Sequence, residues 1–218
     1  MGIITRSAAN NITTGGVILP AGINDASVAS VTALAQINAG DGITLISSQT
    51  ASASSSLSFT TGIDSTYRTY LFKMINIHPS NNGVKWTFNL STDGGSNYNV
   101  IKTSTSFAAV HDEGDTEVSL QYKTPEDLAQ SSSDQSFGIA ISNGNDESYS
   151  GTLHLFNPSS TTYVKHFIAT TNSIHSNTYS NNSFTAGYGN TTSAINAIKF
   201  QMSAGNIDAG TIYMYGIA

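Results

Sequence analysis

The 218-residue chain carries 14 acidic and 8 basic residues, a formal net charge of -6, and only 10% charged residues against 39% hydrophobic ones. Without a basic cluster it lacks the positive charge that displaces counterions from phosphates, which excludes nucleic acid as an expected partner and, with it, attachment to an anionic membrane surface. The absence of cysteine rules out disulfides, zinc–thiolate centres and thiol catalysis, and the apolar runs are far short of the ~18 residues that span a bilayer.

Residues 1–40 contain no aromatic side chain and are broken by Gly15-Gly16 and Pro20-Ala21-Gly22. Short apolar groups at Ile3-Ile4 and Val17-Ile18-Leu19 lie among Ala, Thr and Asn. Such a segment cannot bury a core of its own. A disordered leader and a docking arm are the two readings; the Ile and Val content favours an arm whose Ile3, Ile4, Val17, Ile18 and Leu19 bury on another molecule. The N-terminus lacks the apolar centre of a secretory signal, so synthesis in a cytoplasm is expected.

From residue 41 the pattern changes. Gly40-Asp41-Gly42 is a turn, and Ile43–Ile46 and Leu57–Thr60 read as short strands. Tyr67–Ile77 is aromatic and β-branched, as a central strand should be. After a turn at Pro79–Gly83, Val84, Trp86, Phe88 and Leu90 alternate with Lys85, Thr87 and Asn89. Asp93-Gly94-Gly95 turns the chain into a predicted strand at Tyr98–Ile101. Glu117–Tyr122 alternates again. Thr124–Ser133 reads as a loop with a helical turn at Pro125–Leu128, and Phe137, Ile139 and Ile141 as a strand. Further strands are expected around Leu153 and Leu155, at Tyr163–Ala169, Phe184–Tyr188, Ala197–Met202 and Thr211–Tyr215. About a dozen short strands, no helical period and no internal repeat predict an all-β, jelly-roll-like β-sandwich over residues 41–218 behind an extended N-terminal arm, with a closed barrel as the alternative.

Candidate chemistry is sparse. His78, His111, His154, His166 and His175 form no HxH or HxxxH pair, and alternating neighbours make His154 and His166 structural residues of sheet faces. His111-Asp112-Glu113-Gly114-Asp115 with Glu117, and Asn143–Glu147, have oxygen donors a calcium ion accepts but not the spacing of a calcium loop. No nucleophile elbow or phosphate-binding glycine pattern is present. No metal, cofactor or catalytic residue is therefore assigned, and the chain is read as a non-enzyme. Ten tyrosines and many asparagines offer a carbohydrate surface, because rings stack on sugars and amides bond hydroxyls. Tyr179, Asn181, Asn182, Tyr188 and Asn190, placed in loops, are the candidate contacts; the competing reading packs these rings at strand ends.

The C-terminal run Phe200-x-x-Ser203-x-Gly205-x-Ile207-x-x-Gly210-x-Ile212-x-x-Tyr215-Gly216 resembles the closing hairpin of small jelly-roll proteins of tailed bacteriophages, marine ones especially. Residues 57–99 share the likeness through Phe59–Tyr67 and Leu90–Gly95. The resemblance covers residues 43–218 and brings no catalytic residues. It implies a structural protein of the virion surface, a tail fibre or appendage or a head decoration, assembled in the host cytoplasm. Its partners would be other virion proteins and sister subunits, as a homotrimer, with a host surface glycan as a further ligand and no membrane insertion. A carbohydrate-binding module or lectin-like receptor-binding domain, and less readily a glycan-cleaving enzyme, is the alternative.

Overall fold

The structure is a computed structural model that describes residues 42–175 and 179–218. Ile3, Ile4, Val17, Ile18 and Leu19 lie outside the described residues. Gly40–Ala218 is one compact unit. The described residues form twelve strands and no helix, so the expectation of an all-β sandwich holds. In chain order the strands are β1 (Ile43–Thr50), β2 (Leu57–Phe59), β3 (Thr69–Pro79), β4 (Trp86–Ser91), β5 (Lys102–Asp112), β6 (Val118–Tyr122), β7 (Gln135–Ser136), β8 (Tyr149–Phe156), β9 (Lys165–His175), β10 (Tyr179–Gly189), β11 (Ala197–Met202) and β12 (Ile207–Ile217).

Two antiparallel sheets result. The large one runs β1-β12-β3-β8-β9-β10-β5-β6 and the small one β2-β11-β4-β7. Eight strands pair in nested fashion, β1 with β12, β2 with β11, β3 with β8 and β4 with β7. Two hairpins interrupt this series: β5–β6 falls between β4 and β7, and β9–β10 between β8 and β11. Both extend the large sheet, and they meet each other where β10 pairs β5 along eleven residues of unbroken register, Tyr179↔Asp112 to Gly189↔Lys102.

Over the nested strands, period-two alternation turns large side chains toward the sheet-to-sheet interior. Phe72, Phe59, Phe200, Trp86, Phe137, Phe88 and Phe167 form a chain of ring contacts between 5.0 and 6.2 Å. The Trp86 indole donates to Met74 Sδ at 3.1 Å. The alternate positions of β4 are covered as well: Thr87, Asn89 and Ser91 are buried, because Asn89 Nδ2 reaches Ser132 O and Asp134 Oδ1 in the segment that crosses above them.

Three sequence expectations are corrected. Tyr98–Ile101 is irregular, and the strand begins only at Lys102. Regular pairing ends at Ser136, so Phe137–Ile141 is not a strand; Phe137 and Ile141 are fully buried and alternate because both plug the core. Tyr179–Asn182 and Tyr188 belong to β10 rather than to loops.

The added hairpins have an unusual interior. On β5, β9 and β10 the inward residues include Ser104, Ser106, Thr171, Ser173, Asn181, Ser183 and Thr185, all buried. The small sheet is too narrow to cover them, and the segment 123–148, irregular on either side of β7, does so instead. An irregular segment arrives with unpaired backbone groups that need partners. The hydroxyls supply them: Ser104 Oγ accepts Leu128 N at 2.9 Å, and Thr171 Oγ1 donates to Phe137 O at 3.0 Å. Gly138 sits so close that a Cβ there would stand 2.3 Å from Ser183 Oγ.

Candidate functional site

Because small polar residues occupy much of the hairpin interior, most of the hairpins' large apolar side chains lie on the other face of the large sheet. The register shows how they line up. Leu45, Tyr215, Leu71, His154, Ile168 and Ala186 occupy one row across six strands. Beside it runs a second row, Tyr213, Lys73, Thr152, Thr170, Phe184, Phe107 and Tyr122. Phe107 and Phe184 stack at 4.8 Å and 12°. Val118 (75% exposed), Leu120 (72%), Tyr122 (53%), Ile168 (51%) and Phe107 (42%) lie open to solvent on the hairpins. Single exposed hydrophobics need no account, but here several gather on one face.

At Ala186 the face dips. The short side chain leaves a shallow depression of about 440 Å³, walled by Tyr188, His166 and Ile168 with Thr103 and Thr105 opposite. The Tyr188 and His166 rings are 6.2 Å apart and tilted by 60°. The depression thus sets ring faces beside threonines whose hydroxyls are bonded within the chain, Thr103 accepting from Gln130 and Thr105 donating to Ala186 O.

The structure divides the candidate glycan contacts. Tyr188 and the half-buried Asn182 share the outer face with Phe184. Asn181 is fully buried and points inward, its Nδ2 donating to Ser173 Oγ and Ser183 Oγ, so it is not a contact residue. Asn190 lies past the strand end, where Nδ2 donates to Gln130 Oε1 at 2.9 Å. Tyr179 begins β10, its ring 5.9 Å from that of His175. These residues therefore do not form one cluster.

The acidic clusters have local tasks. Asp112 holds the β5–β6 turn by accepting from Thr116 Oγ1, Thr116 N and Glu117 N. The Thr116 hydroxyl, then the Glu117 amide, pull its carboxyl down to about 2. His111 Nε2 lies 3.1 Å from Asp115 Oδ1 in the same turn. At the second cluster, Glu147 Oε2 accepts Gly144 N. His78 bonds Gly144 O through Nε2 and lies 3.6 Å from Asp208 through Nδ1. Among the described residues no group of three or more His, Asp or Glu side chains is placed to hold a metal ion.

A buried polar network lies at the start of β5. Lys102 is fully buried, and its Nζ donates to Asn89 Oδ1 at 2.6 Å and Val100 O at 2.8 Å. Burial lowers its pKa to about 8 against the opposing pull of Asp134. Asp134 in turn accepts from Asn89 and Gln201. The network ties β4, β5 and β11 to the covering segment, and its geometry is that of a structural brace.

No family model, no curated protein and no solved structure matches this chain. Among the described residues most of the exposed large hydrophobic side chains lie on the outer face of the large sheet.

Proposed function

We propose that this chain is a structural, non-enzymatic surface protein of a tailed-phage particle, and that the outer face of its large sheet is a docking surface for other particle proteins. One observation carries the reading: Phe167 and a few small apolar groups apart, the hairpins bury mainly serine and threonine and leave Phe107, Val118, Leu120, Tyr122 and Ile168 exposed on the outer face, which is costly for a lone domain in water and favourable for one that is covered. The nested pairs β1·β12, β2·β11, β3·β8 and β4·β7 support a jelly roll, a long antiparallel ribbon wrapped so that its strands divide between two sheets. On this reading β5–β6 and β9–β10 are insertions that widen one sheet. The likeness of the C-terminal run Phe200 to Gly216 to phage jelly rolls points the same way. Residues 1–40 would act as the anchoring arm, and sister subunits, as a trimer, would share the anchorage.

The test is location and copy number on purified particles, by immunogold labelling and quantitative mass spectrometry. A few dozen copies fit a tail appendage and hundreds a head decoration. Deleting residues 1–40 should leave a folded domain that no longer joins the particle, and undiminished incorporation would overturn the anchoring role. The depression at Ala186 favours a second reading, a host-glycan site. Binding on a glycan array that Tyr188→Ala abolishes would support it.

A further inference from the structure

The two sheets end in four edge strands, and they are not alike. β2 has three residues and β7 two. β1 breaks its register between Leu45 and Ser47. Short strands and bulges are the usual means of keeping an edge from pairing with another chain. β6 has neither. Its five residues run in unbroken register against β5, from His111↔Val118 to Phe107↔Tyr122, and contain no proline.

The direction of its free hydrogen-bonding groups follows from parity. Asp112 N donates to Glu117 O and Lys123 N to Ser106 O. Residues 117, 119, 121 and 123 thus turn their backbone groups toward β5, and the N–H and C=O of Val118, Leu120 and Tyr122 point off the sheet. Among the described residues nothing bonds to them.

We propose that β6 pairs antiparallel with β6 of a second copy of this chain, across a two-fold axis at Leu120. The segment Glu117-Val118-Ser119-Leu120-Gln121-Tyr122-Lys123 is self-complementary in that register. Val118 faces Tyr122 of the second copy, Leu120 faces Leu120, and every outward N–H and C=O of these residues finds an acceptor or donor. Ser119 faces Gln121. Glu117 faces Lys123 twice by symmetry, at the non-hydrogen-bonded positions where cross-strand side chains come closest. A slip of two residues loses both ion pairs. Among the described residues Lys123 Nζ donates to Gln121 Oε1 at 2.9 Å and Tyr122 Oη to Asp127, and β6 is largely exposed. The contact joins two large sheets into one. It is two-fold and is argued from β6 alone.

Sedimentation velocity of the full chain over ~1–200 µM should show a dimer that dissociates on dilution. Leu120→Lys should be monomeric, with an unchanged circular dichroism spectrum and melting temperature. Glu117→Lys and Lys123→Glu should each weaken the dimer by about fivefold or more, by putting like charges opposite each other. The double exchange Glu117→Lys with Lys123→Glu should restore it to within about twofold, a rescue that a role inside one subunit would not give. A wild-type chain that stays monomeric at the top concentration overturns the proposal, and so does a double exchange no better than the single ones. A dimer indifferent to Leu120→Lys but lost on deleting residues 1–40 also overturns it and places the contact in the arm. Each of these results leaves the particle-incorporation test standing, so the two readings fail separately.

Discussion

The nested half of the domain and the added hairpins use the same strand geometry to opposite ends. In the nested half β3, β4 and β11 turn Phe72, Trp86 and Phe200 inward, and the second sheet covers them. In the hairpins the covering layer is largely irregular, the interior is rich in small hydroxyls such as Ser104, Ser106, Thr171 and Ser183 with Phe167 as its one buried ring, and the rings of Phe107 and Phe184 face out. What lies above a sheet decides which residues suit its inner face. A sheet accepts large apolar groups against another sheet, and small hydroxyls against a loop whose backbone still needs hydrogen bonds.

The contrast is broken most strongly in the nested half. Trp86→Ala removes a side chain that lies 5.8 Å from the Phe200 ring and 6.2 Å from that of Phe137. It should cost ~3–5 kcal/mol in urea denaturation. Thr171→Val in the hairpins keeps the volume but strips Phe137 O of its donor, and should cost about 1–3 kcal/mol. A Thr171→Val loss as large as that of Trp86→Ala would mean that the two interiors are held alike.

Lys102, at the junction of the halves, sharpens the comparison through pH. Burial holds its folded pKa at about 8, below that of lysine in the unfolded chain. Between roughly pH 8 and 10.4 the unfolded chain then binds more protons, and stability rises with pH; below pH 8 that gain is absent. From pH 7 to 9 wild type should gain on the order of 1 kcal/mol relative to Lys102→Met, read from paired urea curves. Parallel curves for the two proteins would show that Lys102 is not buried in charged form. The smallest effect is expected on the outer face: Ile168→Ser should change stability by less than ~0.5 kcal/mol while lowering incorporation into particles.

The nested half was largely legible in the sequence. Strict alternation at Val84–Leu90, the aromatic run at Tyr67–Ile77 and the glycine-punctuated C-terminal run all mark strands, but that run is not the closing hairpin its sequence suggests: β11 pairs β2 and β4 in the small sheet, and β12 pairs β1 and β3 in the large one. β5 was not legible. Its inward Ser104 and Ser106 and outward Phe107 invert the pattern that periodicity relies on, and the stretch reads as irregular until its partners are known. The same inversion hid the candidate site. Tyr188 could be singled out as a ring beside amides, but Ile168 and Phe107 look like core in any window of sequence. Asn181 looked like a surface amide and is buried, because only the covering segment, distant in sequence, closes over it.

The register between β5 and β10 also bears on synthesis. Roughly seventy residues separate the two strands, and at about 5–20 residues per second the ribosome delivers β10 several seconds after β5 is complete. Throughout that delay β5, already joined to β6, presents an eleven-residue open side to every nascent neighbour on the same messenger. Slower growth temperature or a chaperone that shields that side should raise the soluble yield, whereas fast overexpression should favour inclusion bodies.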